Sequence, residues 1–256
     1  MKNKTFKGDC LELMKDLANE SIDMICTDLP YGTTKCKWDS VIDLNLLWNE
    51  YERIIKPNGA IILFAQTPFD KVLGASNLKL LKYEWIWEKS QATGHLNSKK
   101  MPMKSHENIL VFYKKLPTYN PQMTTGHVRK VSSAKSRAGC IVRSNKKDDY
   151  IYNKEIHESV PDYDSTNRYP RSVLKFPSDK QKSALHPTQK PIDLIEYLIK
   201  TYSNEGDIIL DSTAGSGTTA IACLKTNRNY ILMEKDDYYY NILNERINDF
   251  MTMKNN

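Results

Sequence analysis

The chain has 256 residues, of which 40% are apolar, and a formal net charge of +6. That size is enough for one core of α/β type or for one large domain with an insertion. No signal-peptide core follows the first residues and the longest wholly apolar run is residues 60–65, so we expect neither a membrane helix nor secretion. The five cysteines form no CxxC pair and share no ligand spacing with the five histidines, which favours reduced, buried thiols in a cytoplasmic protein without a metal site.

Residues 1–114 alternate between strand and helix patterns. Four apolar runs are typical of strands: residues 22–27, 60–66, 83–88 and 108–113. Between the first two runs, apolar residues recur at helical spacing from Leu44 to Ile55. This spacing predicts an amphipathic helix.

The first predicted strand is followed directly by Asp28, Leu29, Pro30 and Tyr31. Asp28 and Pro30 are common turn formers, so these residues alone are compatible with a plain turn. A carboxylate and an aromatic ring at a strand end also suit a site at the edge of a sheet. The choice between the two interpretations depends on the rest of the chain.

Residues 115–180 lack sustained periodicity and contain five prolines among polar and basic residues, which predicts an irregular insertion. From residue 114 to residue 147 the chain has no Asp or Glu. The nine basic residues there are Lys114, Lys115, Arg129, Lys130, Lys135, Arg137, Arg143, Lys146 and Lys147. Such a stretch suits a polyanion, because Lys and Arg release counterions from a phosphate backbone. A solvated loop is the alternative.

Residues 187–250 return to α/β order. A helix is predicted from Pro191, followed by a strand at residues 207–211, a glycine turn, a helix at 218–225, a strand at 229–234 and a terminal helix. Strands that alternate with helices predict a mostly parallel sheet, with ligands at the carboxyl ends of its strands.

The glycine turn has the residues of a cofactor site. Gly215 and Gly217 let the backbone pass close to a ligand, and the helix start after them favours a negative group. With Ala220 they fit a dinucleotide fingerprint, and Glu234 ends the next strand where a ribose needs an acceptor; a helix cap is the alternative. Asp211 would crowd the pyrophosphate of NAD but suits the ammonium group of S-adenosylmethionine, which is therefore favoured.

Five segments in this order resemble the β class of DNA amino-methyltransferases, the N6-adenine and N4-cytosine enzymes. They are Gly8-Asp9-Cys10, Asp28-Leu29-Pro30-Tyr31, His106-Glu107-Asn108-Ile109-Leu110-Val111-Phe112-Tyr113-Lys114, His186-Pro187-Thr188-Gln189-Lys190-Pro191 and Asp211-Ser212-Thr213-Ala214-Gly215-Ser216-Gly217-Thr218-Thr219. The resemblance covers nearly the whole chain, apart from most of residues 115–180. Two positions depart from the family pattern. Leu29 stands where the family has a proline whose carbonyl it uses, and Ser212 stands where a proline is usual.

The resemblance implies the Rossmann-like fold of S-adenosylmethionine-dependent methyltransferases, with a mixed, mostly parallel seven-stranded sheet and circularly permuted motifs. Residues 1–114 would form the catalytic half, residues 115–180 the inserted target-recognition region and residues 181–256 the cofactor-binding half. The implied catalytic residues are Asp28, Leu29, Pro30 and Tyr31. The implied cofactor-binding residues are Asp9, Cys10, Thr188, Lys190, Asp211, Gly215, Ser216, Gly217, Thr218, Thr219 and Glu234. The nine basic residues would bind duplex DNA.

By the same resemblance, the Asp28 carboxylate and the Leu29 carbonyl would accept both N–H bonds of an adenine N6 amine, and Tyr31 would stack on the flipped base. A carboxylate favours adenine, because cytosine enzymes of this family more often carry serine there. The alternatives are methylation of cytosine N4 or of RNA and, from a different class, a non-catalytic DNA-binding protein. The resemblance also allows a homodimer and a cognate restriction endonuclease as partners, in a bacterial or phage restriction–modification system, and no membrane partner.

Overall fold

The computed structural model describes residues 2–32, 40–132, 163–177 and 189–255. The chain divides into two compact units, Met1–Asn120 with Arg171–Asn256, and Pro121–Pro170. In the smaller unit, β6 (Lys130–Ser132) and β7 (Tyr163–Ser165) form a two-stranded antiparallel ribbon. No helix within these described ranges is long and apolar enough to cross a membrane.

The larger unit contains a mixed sheet with helices on both faces. Its strands are β1 (Lys4–Lys7), β2 (Ile22–Asp28), β3 (Ile55–Ala65), β4 (Leu81–Thr93), β5 (Lys104–Phe112), β8 (Val173–Phe176), β9 (Ile208–Asp211) and β10 (Asn229–Glu234). They lie in the order β1-β10-β9-β2-β3-β5-β4-β8, and only β5 runs antiparallel to its neighbours. The helices are α1 (Cys10–Met14), α2 (Leu44–Ile54), α3 (Phe69–Ser76), α4 (Ile192–Tyr202), α5 (Thr218–Lys225) and α6 (Asp237–Asn255).

Successive side chains of the central strands feed two cores, because strand residues alternate between the faces of a sheet. Met24 and Cys26 of β2 belong to the core that packs against α4 and α5. Ile25 of the same strand belongs to the core under α1 and α2. These side chains are at most 1% exposed, and each fully buried aliphatic side chain contributes about 1.5–3 kcal/mol. The central strands are therefore fixed from both sides, and so are their carboxyl ends.

The prediction of a mixed, mostly parallel α/β fold is confirmed, but the sheet has eight strands in the described residues rather than seven. The additional strand, β8, lies within the stretch predicted as an insertion and pairs parallel with the outer edge of β4. The Trp87 indole N–H also donates to the Phe176 carbonyl at 2.9 Å. A four-residue strand is too short to give a periodic signal in the sequence. The strand becomes visible only in the structure, where it pairs with the otherwise open edge of β4.

Candidate functional site

A cavity of about 880 Å³ opens at the carboxyl edge of the sheet. Three neighbouring strands end there in a carboxylate: β2 in Asp28, β9 in Asp211 and β10 in Glu234. All three side chains line the cavity. Its volume falls in the range of ligand pockets, roughly 300–1,000 Å³. Parallel strands bring these residues together although 183 positions separate the first from the second.

Asp28 is held by an aromatic hydroxyl and a buried ammonium group. The Tyr31 hydroxyl donates to Asp28 Oδ1 at 2.6 Å, and Lys190 Nζ forms an ion pair with Asp28 Oδ2. The Lys190 side chain is only 7% exposed. Lys190 also lies 3.3 Å from Glu107 Oε2, so one ammonium group bridges two carboxylates.

Glu107 joins two further residues to this network. Lys89 Nζ lies 2.5 Å from Glu107 Oε1, and Gln66 Nε2 donates to the same oxygen at 3.2 Å. Both come from the carboxyl ends of strands, Gln66 directly after β3 and Lys89 late in β4. Glu107 belongs to one of the five segments that resemble the family, whereas the sequence analysis did not identify Gln66 or Lys89. Their position at strand ends was the available signal.

Charge balance determines the protonation of this network. Burial raises the pKa of Asp28, and the ion pair with Lys190 and the bond from Tyr31 offset part of that effect. Burial acts on Glu107 in the same sense, but the ammonium groups of Lys190 and Lys89 outweigh it and hold its pKa below the usual value. Lys190 stays charged, because its two carboxylate partners outweigh burial and raise its pKa. The network therefore shifts the two carboxylates in opposite directions, with the pKa of Asp28 above and that of Glu107 below its usual value.

The residues after Asp28 have different environments. Leu29 is 3% exposed and its side chain packs in the core that contains α1 and α2. The Tyr31 ring stacks on Phe69 with a centroid distance of 5.3 Å and an interplanar angle of 28°. Lys190 Nζ lies 5.8 Å from the centre of the Tyr31 ring. Pro30, which lies between Leu29 and Tyr31 in the sequence, also lines the cavity.

The glycine turn needs its glycines for two reasons. Gly215 and Gly217 have φ values of 52° and 77°, which residues with a side chain rarely adopt. A Cβ atom on Gly217 would also lie 3.0 Å from Leu243 Cβ of α6. Arg246 of α6 donates to the Ser216 carbonyl at 2.9 Å and to the hydroxyls of Ser216 and Thr218 at 3.3 and 3.1 Å. Their hydroxyls therefore bind α6, although both residues border the cavity.

Asp211 is a buried carboxylate satisfied by neutral donors. It accepts from the Thr219 hydroxyl at 2.6 Å, the Thr27 hydroxyl at 3.1 Å and the Thr213 N–H at 3.2 Å. Burial raises its pKa to about 6, against the effect of these bonds. Among the described residues no Lys or Arg forms an ion pair with it.

Ser212 uses both groups that a proline lacks. Its N–H donates to Thr27 Oγ1 at 3.0 Å, and its hydroxyl lies 2.6 Å from the Tyr51 hydroxyl. Next to it, the Thr213 hydroxyl donates to the Asp28 carbonyl at 2.9 Å. These bonds replace the stiffness of a proline and tie the glycine turn to the end of β2.

Glu234, Asp9 and Cys10 complete the far side of the cavity. The two Glu234 oxygens accept the N–H groups of Gly215 and Asp236, each at 2.8 Å. Asp9 caps α1 by accepting from Leu11 N–H at 3.0 Å, and its other oxygen accepts from Lys235 at 3.0 Å. Cys10 is 6% exposed.

Two of the predicted DNA-binding residues, Lys114 and Lys115, lie away from this cavity. Lys114 and Lys115 follow the carboxyl end of the antiparallel strand β5, at the opposite edge of the sheet, where Lys115 N–H donates to the Pro57 carbonyl at 3.1 Å. In the smaller unit, Arg129 is paired with Asp164 through two bonds of 2.7 and 2.5 Å, and Lys130 lies in β6. The predicted residues that lie outside the described part of the chain are Lys135, Arg137, Arg143, Lys146, Lys147 and Thr188.

The sheet order and the acidic strand ends around one cavity define a Rossmann-like methyltransferase fold. Solved structures agree: the M1.HpyAVI–SAM complex aligns with a TM-score of 0.63 and 23% identity over 96% of this chain and 98% of that one. PvuII DNA methyltransferase (cytosine-N4-specific) aligns with a TM-score of 0.64 and 16% identity over 98% and 92%.

The chain belongs to the N6/N4 DNA methylase family, whose model matches residues 22–245. The type II methyltransferase M1.MboII of Moraxella bovis is 29% identical over 96% of both chains. The DNA adenine methyltransferase YhdJ of Escherichia coli K12 is 29% identical over 91% of this chain and 78% of its own. The family uses S-adenosylmethionine, as the sequence predicted.

Proposed function

We propose that this protein transfers a methyl group from S-adenosylmethionine to N6 of adenine in duplex DNA. The observation that carries the proposal is the common cavity of Asp28 and Asp211, which lie at the ends of adjacent parallel strands. The bond from the Thr213 hydroxyl to the Asp28 carbonyl, 2.9 Å long, fixes the two strand ends to each other. An acceptor amine at one carboxylate and a donor at the other would meet within this cavity.

The residues at the glycine turn fit this cofactor. Asp211 is an anion in the cavity wall with neutral donors but no ion-pair partner in the described chain, which suits an amino-acid ammonium group. The helix α5 begins at the turn and favours a carboxylate there. Glu234 keeps acceptor capacity for ribose hydroxyls, since each of its oxygens accepts one of the N–H bonds given above. S-adenosylmethionine, when bound, supplies an electrophilic methyl group on its sulfonium.

Asp28 and the Leu29 carbonyl would activate the acceptor. An adenine amine is a poor nucleophile because its lone pair is delocalised into the ring. Two acceptors for its N–H bonds would free the lone pair and orient it into the cavity, without a covalent intermediate. Asp28 can also take the surplus proton, since burial raises its pKa. The base would first leave the duplex, at a cost of roughly a few kcal/mol, and stack on Tyr31.

The ion pair between Lys190 and Asp28 would open when the adenine amine binds to Asp28. Lys190 balances the Asp28 charge in the ligand-free site, and Glu107 gives it a second partner 3.3 Å away. An ammonium group that can rest on Glu107 need not lose all its partners when Asp28 binds the base. Lys190 would therefore protect the carboxylate from protonation without blocking it.

Adenine is favoured as the acceptor by the carboxylate at position 28 and by the similarity to YhdJ, which is named as a DNA adenine methyltransferase. The test is to incubate the protein with labelled donor and long duplex DNA of mixed sequence and to separate the product nucleosides. We expect the label in N6-methyladenine. Label in N4-methylcytosine would overturn the proposal that adenine is the acceptor. Donor binding without any transfer would overturn the proposal that the protein is a methyltransferase.

Replacing Lys190 with glutamine should move the acid limb of the rate profile to higher pH. The activity needs Asp28 as a carboxylate, so the rate falls when the pH drops through its pKa. Without the Lys190 ammonium, burial and the Glu107 charge raise that pKa further. Single-turnover rates from pH 5 to 9 measure the shift, and Lys175→Gln, an exposed residue of β8, is the control. If donor affinity falls but the acid limb stays in place, Lys190 acts on the donor alone.

A further inference from the structure

The connection between β4 and β5 extends from the edge of the sheet that carries the cavity. β5 is antiparallel to both β3 and β4, so β4 runs in the direction of β3 and ends at the same edge as Asp28. The last β4 residues, Ser90 to Thr93, line the cavity itself. We define the β4–β5 hairpin as residues 90–106, and it begins in the wall of the cavity.

Every residue of the 90–106 hairpin is exposed, yet its tip is ordered by its own backbone. Gly94, with a φ of 91°, starts a 3-10 turn over His95–Asn97, and Asn97 N–H donates to the Gly94 carbonyl at 3.0 Å. The Asn97 carbonyl then accepts from the N–H groups of Lys100 and Met101 at 2.8 and 3.0 Å. The tip is thus folded without packing on the core.

The hairpin is basic throughout. Residues 90–106 contain three lysines, two histidines and no Asp or Glu, and Lys89 directly precedes them. Lys89 is paired with Glu107 in the site. Lys99, Lys100 and Lys104 form no ion pair with any residue in the described part of the chain. A run of uncompensated cations beside a cavity attracts a polyanion.

The hairpin also exposes apolar side chains, before and between these lysines. Leu96, at the tip, is 97% exposed, and Met101 and Met103 are 54% and 38% exposed. Three such residues within eight positions differ from the isolated apolar residues of an ordinary surface. Proteins that unstack bases in DNA combine cations for the phosphates with an apolar wedge for the base step.

We propose that the 90–106 hairpin is a second duplex-binding element, separate from the basic stretch 114–147. Lys99, Lys100 and Lys104 bind phosphates beside the target base, and Leu96 contacts the base stack that flipping opens. The chain from Thr93 to Leu96 spans at most about 10 Å, so the wedge stays close to the cavity rim. The proposal rests on the proposed function, in which DNA is the substrate of this site. It further states that the duplex binds to the face of the larger unit that carries the hairpin.

The first test compares duplex affinity in the triple variant K99Q/K100Q/K104Q with the wild type by fluorescence anisotropy. Each lost phosphate contact lowers the slope of log affinity against log salt by about 0.9, so three contacts lower it by about two to three. We expect on the order of tenfold weaker binding at moderate salt. The control K2Q/K4Q/K79Q removes three exposed lysines, two at the amino end of β1 and one before β4, and should leave slope and affinity unchanged.

Donor affinity by calorimetry and the thermal midpoint should not change in the triple variant, which separates a DNA contact from damage to the site or fold. A slope and an affinity equal to the wild type would overturn the proposal. So would unchanged DNA binding with a loss of self-association in sedimentation, which would make the hairpin an interface between copies of the chain. Duplex affinity is measured without transfer, so failure of the methylation assay leaves this result readable.

Leu96→Ser tests the wedge. With 2-aminopurine at the methylated position, mapped by sequencing modified DNA from an expressing host, base extrusion raises the fluorescence. We expect a smaller rise in the variant at saturating protein. An unchanged rise would remove the wedge from the proposal, and an unchanged salt slope in the triple variant would remove the phosphate contacts.

Discussion

Replacing Asp28 with asparagine is expected to lower the methyl-transfer rate by at least about 10²–10³-fold, the effect of removing one preorganised electrostatic group. The carboxamide keeps the shape of the side chain but has no charge. Its neutral oxygen accepts the N–H bond of the amine more weakly than a carboxylate oxygen does, so the amine lone pair is less available. Single-turnover transfer with labelled donor on methylatable duplex measures the rate.

Donor binding is the matched readout for this variant. Asp211 and Glu234 carry the donor in the proposed site, so the affinity for sinefungin, measured by calorimetry, should stay close to the wild type. Asp16→Asn, an exposed residue beyond α1, is the control for loss of one acidic charge. Asp28→Ala should be at least as slow. A near-wild-type rate in either Asp28 variant would contradict the role of the carboxylate in activation.

Donor affinity should fall about tenfold per pH unit below pH 6, because the pKa of Asp211 is about 6. Only the carboxylate attracts the donor ammonium group. Above this pKa the affinity should no longer change with pH. Below it, a protonated Asp211 must lose its proton before the donor can bind. Calorimetry with sinefungin between pH 5 and 8 measures the profile, and Asp211→Asn should give weak binding without this pH dependence.

Protonation of Asp211 should have the opposite effect on the free energy of unfolding, which should rise as the pH falls. Burial raises the pKa of Asp211 above its unfolded value of about 3.9, so the folded protein holds the proton more tightly. The Asp211 contribution therefore falls as the pH rises from about 4 to 6, by about 3 kcal/mol for two pKa units. As the pH drops from 7 to 5, binding weakens while this contribution to stability grows. A parallel fall of both would show that unfolding, and not Asp211, controls binding.

Local sequence patterns determined most of the fold. The helix Thr218–Lys225 and the strand Asn229–Glu234 have the predicted bounds, because glycine, capping and apolar signals coincide there. The start of β3 was less visible. Lys56-Pro57-Asn58-Gly59 predicts the end of a helix, but these residues lie in a bulged strand, where a Cβ on Gly59 would approach the Asp23 carbonyl to 2.7 Å. The bulge is set by β2, which no local window contains.

The site was predictable where a residue ends a parallel strand. Asp28, Asp211 and Glu234 meet because carboxyl ends of neighbouring parallel strands share one edge, and that follows from the α/β pattern. The partners of Asp28 were not predictable in this way. Lys190 reaches it from a segment 162 positions away, and Glu107 comes from an antiparallel strand whose direction the apolar run does not reveal.

The sequence by itself determined the fold class, the family and the residue types that line the candidate site, because apolar periodicity, glycine turns and ordered motifs are properties of the chain. Only the tertiary structure decided where the charges act. Lys114 is part of the basic stretch in sequence but lies beyond the far end of β5, whereas Lys99 and Lys100 stand at the edge with the cavity. Strand direction makes that difference, and it is fixed by pairing between distant segments.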